Sequence, residues 1–282
     1  MTDLLADTAS PLLDRARRDA HAAAARAGVV VRTLDTFAEL GAAYELYRSI
    51  WRPTAEQTAL TTGILRALAK AGNYVAGAYA GDDLVGMSVG MNGRPDNRHL
   101  HSHIAGVSPA VQGRSVGLAI KLHQRAWALA AGITTIAWTF DPLVRRNAYF
   151  NLAKLGARAE GYLTDFYGPM VDAINDGDAS DRLLVEWSLA EPLPDRPTDD
   201  PPALPALIVH DTAPRTVTSD APLVVVPTPA DIESLRRTAP ETSRAWRSAL
   251  REALTAELDA GSTVTGFDRH GNYLLARKES NA

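Results

Sequence analysis

The stretch His99-Leu100-His101-Ser102-His103-Ile104-Ala105-Gly106-Val107-Ser108-Pro109-Ala110-Val111-Gln112-Gly113-Arg114-Ser115-Val116-Gly117-Leu118 runs from a strand, through a loop of small residues, into a helix. Leu100 to Val107 reads as the strand. Leu118, Leu122, Ala126 and Leu129 recur at helical spacing up to a stop near Gly132. Between them, Gln112 to Gly117 places small residues where several backbone N–H groups converge on a helix N-terminus, which is a cradle for an anion. Neither nucleotide motif fits: no lysine-serine pair follows, as a Walker loop needs, and no acidic residue ends a strand about 20 residues on.

Working outward, Gly28 ends an alanine-rich helix (about residues 10 to 27) and Val29 to Leu34 reads as a strand. Phe37, Leu40, Tyr44 and Tyr47 mark one helix, and Leu60, Ile64 and Leu68 mark another that stops at Gly72. Tyr74 to Tyr79 and Leu84 to Met91 flank Ala80-Gly81-Asp82-Asp83, which predicts an antiparallel hairpin. Past the central helix come a strand over Ile133 to Phe140, a short helix ending at Gly156, and strands over Gly161 to Tyr167 and Leu183 to Leu189. The element order is β-α-α-β-β-β-α-β-α-β-β. Six prolines between 191 and 205 predict a linker, and the remainder reads as a small α+β appendage. In it Thr228-Pro229-Ala230-Asp231 has the form of a helix start, and a helix carries Trp246, Leu250, Leu254 and Leu258. The expected organisation is an N-terminal helix (1–28), a main domain (29–190), the linker (191–205) and the appendage (206–282).

Composition narrows the function. The 282 residues carry 29 Lys+Arg against 33 Asp+Glu, a formal charge of −4, so the chain lacks the general basicity that binding to a phosphate backbone requires. With no cysteine there is no disulfide, thiolate nucleophile or cysteine-ligated metal. Asp3 and Asp7 interrupt any signal-peptide core and no apolar run reaches membrane-span length, so the expectation is a cytoplasmic protein bound to neither nucleic acid nor membrane.

The loop resembles the pyrophosphate loop of the GCN5-related N-acetyltransferases (GNAT), whose pattern is Gln/Arg-x-x-Gly-x-Gly/Ala after a strand and Val-x-Pro. Here it reads Gln112-x-x-Ser115-x-Gly117, with Ser115 in place of the first glycine. The family's element order matches residues 29 to 190, and its Asn-bearing helix ending Lys-Leu-Gly is similar to Asn147 through Lys154-Leu155-Gly156. Trp138-Thr139-Phe140-Asp141-Pro142-Leu143 and Ser180 to Trp187 resemble strings of a group of long members, some of them N-succinyltransferases of amino acids.

The resemblance implies a mixed, mostly antiparallel central sheet flanked by helices, layered α+β. It implies acyl transfer from acetyl-CoA or succinyl-CoA to a small amine, an amino acid among the candidates, by direct attack in a ternary complex. Backbone amides over Gln112, Gly113, Arg114, Ser115, Val116, Gly117 and Leu118 would hold the coenzyme pyrophosphate. Val107 would pair with pantetheine and polarise the thioester, and Asn147 would meet the pantetheine arm. Where the family often places a tyrosine acid, this chain has Leu152; Tyr149, three residues earlier on the same helix, is the candidate substitute. A thiol of pKa about 8.5 also leaves as thiolate unaided.

His99, His101 and His103 alternate on the strand before the loop, with successive residues roughly 6.6 Å apart on one face. They suit a catalytic base, with His103 the candidate, or sheet-lining side chains. As metal ligands they lack a carboxylate of clear spacing, and no metal is expected. Arg145-Arg146 reads as a solvated helix start within reach of coenzyme phosphates, and Asp141 and Asp165 read as caps. Arg182, entering an apolar strand, is the candidate for a carboxylate on the substrate. A non-catalytic coenzyme A-binding module and a scaffold are the alternatives, and a homodimer is open to either.

Overall fold

The computed structural model describes residues 11–53, 60–94, 96, 98–168, 178–194, 204–210 and 213–278. Residues 195–203 of the proline-rich stretch and 1–10 of the N-terminal segment lie outside these. In chain order the elements are α1 (Pro11–Ala27), β1 (Val30–Thr33), α2 (Phe37–Trp51), α3 (Thr62–Lys70), β2 (Tyr74–Ala80), β3 (Asp83–Asn92), β4 (His99–Val107), α4 (Val116–Ala130), β5 (Thr135–Phe140), α5 (Arg145–Ala148), β6 (Arg158–Leu163) and β7 (Arg182–Ser188). There follow β8 (Ile208–His210), β9 (Pro214–Thr216), β10 (Leu223–Pro227), α6 (Ile232–Thr238), α7 (Pro240–Asp259), β11 (Thr263–Phe267) and β12 (Asn272–Ala276). This is the expected mixed α+β class: a seven-stranded sheet ordered β1-β2-β3-β4-β5-β7-β6, with a three-stranded sheet β10-β12-β11 and a two-stranded pair β8-β9. Among the described residues no helix is long and apolar enough to cross a membrane.

The chain divides into two compact units, residues 1–136 with 188–190, and residues 137–187 with 191–282. The division runs through β5 rather than along the proline-rich stretch.

In the first unit, β1 to β4 pair antiparallel throughout, with the hairpin closing at Ala80↔Asp83. The α2 helix starts where Thr36 and Glu39 form a capping box, each side chain bonding the other's backbone N–H. Its face of Leu40, Ala43 and Tyr47 packs with Leu60, Leu65, Val75, Met87 and Val89 into one core. The buried face of α1 is four alanines, Ala16, Ala20, Ala23 and Ala27. Arg125 on α4 is 1% exposed and donates twice to Leu189 O, at 3.1 and 2.8 Å.

In the second unit, β6 pairs antiparallel with β7 from Arg158↔Glu186 to Leu163↔Arg182. The sequence placed that strand at 161 to 167, but it ends at Leu163 because Asp165 turns left-handed (φ 48) and its carboxylate accepts the Ser180 N–H at 3.1 Å. The expected cap at Thr228 also moves. Asp231 caps α6 through Ser234 N, while Thr228 donates its hydroxyl to Gly271 O at 2.6 Å. Pro240 then opens α7 separately.

The deepest feature of this unit is ionic. Arg247 meets Asp141 with two parallel bonds, both 3.0 Å, and reaches Asp178 at 2.9 Å. Arg236 also pairs with both carboxylates. Burial pushes the Asp141 carboxyl up, but Arg247 and then Arg236 outweigh it and bring it down to about 2. Asp141 does cap the chain, accepting Leu143 N at 3.0 Å, but its main partners are these two arginines, which lie far along the sequence.

Removing one member of such a cluster leaves a buried charge unpaired. Arg247→Met should cost about 3 to 5 kcal/mol, read by urea unfolding at the tryptophans of this unit. Arg247→Lys should recover only part, since an ammonium cannot make the forked contact.

Candidate active site

The first unit holds a loop-to-helix cradle beside the end of β4. Gly113 (φ 82) and Ser115 (φ 63) are both left-handed, and Ser115 stands at the N-cap of α4 without a side-chain cap. Helix geometry leaves the first N–H groups of α4 without intrahelical acceptors. Among the described residues the N–H groups of Gly113, Ser115, Val116 and Gly117 meet no backbone acceptor, while those of Gln112, Arg114 and Leu118 bond Pro109 O, Val111 O and Ser115 O, and residues 112 to 115 are exposed. Ser115 therefore takes the conformation that the glycine of the family pattern adopts more easily, at a cost of about 1 to 2 kcal/mol. Arg114 reaches the C-terminal end of α1, its Nη2 lying 3.4 Å from Ala27 O.

Gly117 makes the cradle roomy. A Cβ there would meet only the Val107 Cγ2, at 4.0 Å, so the first turn of α4 lies against the end of β4 with space for a ligand. Ser108 donates its N–H to Val85 O at 2.8 Å. Since amides alternate along a strand, the Val107 N–H points to the opposite edge of β4, away from β3. Val107 is paired by register with Gly86. The loop and Val107 are thus brought together, as donors suited to a pyrophosphate and a carbonyl.

His103 lies four residues before Val107 at an irregularity. The register passes from Val89↔Ile104 to Gly90↔Ser102, so His103 is the extra residue of a β-bulge. Its ring is half-buried and 5.7 Å from that of His101. Burial lowers the pKa of both; for His101, His103, His99 and Lys121 lower it further. Burial thus favours the neutral imidazole of His103 over its cation. Among the described residues no three His, Asp or Glu converge as metal ligands.

Sequence reading missed Lys121, on the far face of β4. Its ammonium, 4% exposed, donates to Ser102 Oγ at 2.8 Å and Gln124 Oε1 at 3.2 Å, and burial lowers its pKa to about 7. A lysine between Ile120 and Leu122 was the available signal. It was silent because α4 buries nearly its whole circumference, which only the packed structure reveals.

The second unit carries the other candidates. Asn147 is the third residue of α5, whose N-cap is Val144. Among the described residues its amide makes no side-chain hydrogen bond. Tyr149 follows where α5 passes into a wide π-helical turn over Tyr149–Lys154; it is half-buried, with Lys154 Nζ 5.8 Å from its ring centroid. Leu152 is buried. Arg145 and Arg146, read from sequence as able to reach coenzyme phosphates, bond Thr228 and Glu233 instead. Arg182 is buried at the start of β7, donating to Asp181 O at 2.9 Å with its guanidinium 5.3 Å from the Tyr167 ring centroid. Phe166 and Tyr167, edge to face, are both exposed beside it.

Several solved structures are similar over a little more than half of this chain. A ribosomal-protein-S18-alanine N-acetyltransferase from Escherichia coli is 13% identical (58% of this chain, 96% of that one, TM-score 0.47). A ribosomal-protein-alanine N-acetyltransferase from Brucella melitensis is 17% identical (56% and 99%, TM-score 0.47). The yncA protein of Salmonella typhimurium, described with its cofactor acetyl-CoA, is 15% identical (57% and 94%, TM-score 0.46). No curated protein matches the sequence. Residues 13–149 match the profile of the acetyltransferase (GNAT) domain, a span that includes the bulged strand, the cradle and Asn147. Residues 13–149, just under half of the chain, are thus identified as an acetyltransferase domain of the GNAT type.

Proposed function

We propose that this protein transfers an acyl group from acyl-CoA to a small amine, with an amino acid as acceptor and acetyl-CoA or succinyl-CoA as donor. The observation that carries the reading is the cradle against β4: α4 amides without a side-chain cap, an open Gly117 and a Val107 N–H that points away from β3. The α4 amides and the helix dipole suit the pyrophosphate. The Val107 N–H donates to the thioester carbonyl and gains strength as that oxygen becomes an oxyanion. His103 accepts the ammonium proton, directly or through water, so that the amine attacks as a neutral nucleophile. Tyr149, with its hydroxyl as acid, is the candidate to protonate the departing thiolate. Asn147 offers its amide to the pantetheine arm, and Arg182 offers a forked contact to a carboxylate. The cysteine-free composition fits a reducing compartment such as the cytoplasm, and the formal charge of −4 argues against nucleic acid as a partner.

Gly117→Glu tests the cradle. The side chain has room, so the fold should persist, while its bulk and charge should abolish coenzyme A binding in calorimetry; equal binding by wild type and variant removes the assignment.

Because burial holds the His103 pKa below its usual value, the rate at saturating substrates should rise with pH through an apparent pKa under about 6.5 and then level off. In His103→Gln that limb should vanish, with a loss of roughly 10²-fold or more. An unchanged profile takes His103 out of the mechanism.

The acceptor class is settled by screening acetyl-CoA and succinyl-CoA against D- and L-amino acids, polyamines and a lysine peptide, reading released thiol, to which a cysteine-free protein adds no background. Turnover should require a carboxylate on acceptor or acyl chain, and Arg182→Ala should lower efficiency at least about 30-fold. Activity confined to carboxylate-free amines with acetyl-CoA counts against this reading.

A further inference from the structure

Side chains and carbonyls of the turn that leads into α5 bond repeatedly to residues from the far C-terminal part of the chain. Asp141 takes Arg236 and Arg247. Pro142 O accepts the Tyr273 hydroxyl at 2.6 Å. Arg145 donates to Thr228 O and, at 3.3 Å, to Thr228 Oγ1, and Arg146 forms a two-bond pair with Glu233. Gly271 belongs to the same device: a Cβ there would run into the Arg145 guanidinium, and its φ of 94 suits glycine alone. Four of the six residues from 141 to 146 are thus tied to the segment 228–273.

This turn has little of its own to hold it. The α5 helix has four residues and no side-chain cap, and even with the π-helical turn that follows, it spans only residues 145 to 154, short of the length at which a helix persists unaided. Yet Asn147 and Tyr149 take their positions from it. We propose that Thr228, Glu233 and Tyr273 are positioning residues for acyl-CoA: the C-terminal segment clamps the 141–146 turn so that the Asn147 amide is held ready for the coenzyme. The inference rests on the reading of Asn147 as a coenzyme contact.

The outermost tie offers the cleanest test, because Arg146 is 64% and Glu233 25% exposed and neither packs the core. Glu233→Arg, Arg146→Glu and the double exchange are made in the full chain, and coenzyme A affinity and the thermal midpoint are measured at low salt. Each single variant should weaken binding about fivefold with a midpoint within about 2 °C of wild type, and the double exchange should return affinity to within about twofold. A purely structural tie would move the midpoint and leave affinity alone. Tyr273→Phe, which deletes one oxygen and keeps the ring, is the second variant and should weaken binding at least about threefold. Wild-type affinity in Glu233→Arg and Tyr273→Phe overturns the clamp. So does weakening in Arg146→Glu that the exchange fails to restore, since Arg146 would then meet the coenzyme itself. Gly117→Glu, run alongside, separates the two levels: if it abolishes binding while the clamp variants do nothing, only this inference falls, and if it binds as wild type, the functional reading falls with it.

Discussion

An α-helix cannot satisfy its own first amides, and α4 begins without a side chain to cover them. A buried helix start would normally recruit Ser, Thr, Asp or Asn as a cap, worth about 1 kcal/mol. Here the N-cap is a serine, but its left-handed backbone takes the hydroxyl out of that role. The result is a helix terminus that gives up local stability and keeps its positive end open. Everything around it respects that opening: Gly117 adds no side chain toward Val107, and the exposed loop residues crowd nothing.

The strand beside the cradle is shaped to the same end. A bulge increases local twist and leaves one residue outside the ladder, and in β4 that residue is His103. Partial burial of the imidazole lowers its pKa and so favours the neutral form. Below it, on the helix side, Ser102 binds Lys121, so β4 and α4 are tied by a buried polar bond as well as by apolar packing. Such a bond is directional where apolar contact is not, and it fixes one register between the strand that carries His103 and the helix that carries the cradle.

What could be read from sequence follows from range. Hairpin chemistry at Gly81-Asp82, the Gly72 stop and the period of α4 are local, and β2, β3 and α4 formed where those signals placed them. The cradle was legible for the same reason, since its small residues are contiguous. The ion cluster was not. Asp141 and Asp178 sit where caps and loops belong, and only their meeting with Arg236 and Arg247 on α6 and α7, about 60 to 100 residues on, makes them interior. The π-helical turn at Tyr149 was missed because an extra residue within a turn leaves no mark in a period of 3.6. Thr228 lost its cap to Asp231 because Gly271 O and Arg145 compete for its side chain, a contest that local pattern does not contain.

The buried cluster also bears on why the chain continues past the residues that match the acetyltransferase domain. Four desolvated charges are poor value as stability alone, because well-packed apolar residues of the same volume would often do as well or better. What ions add is specificity of geometry. Arg247 donates both bonds to Asp141 only in a planar approach, so the end of β5 has one orientation in which the cluster is satisfied and others that leave a charge bare. An apolar contact would let the 141–146 turn slide by an ångström at small cost. A forked ion pair, the Tyr273 bond to Pro142 O and the close approach of Gly271 to Arg145 forbid that motion. The four-residue α5 and the π-helical turn after it, which carry the proposed coenzyme contact Asn147 and the proposed acid Tyr149, gain from such fixed placement, since misplacing a contact by an ångström weakens an active site far more than it weakens a fold.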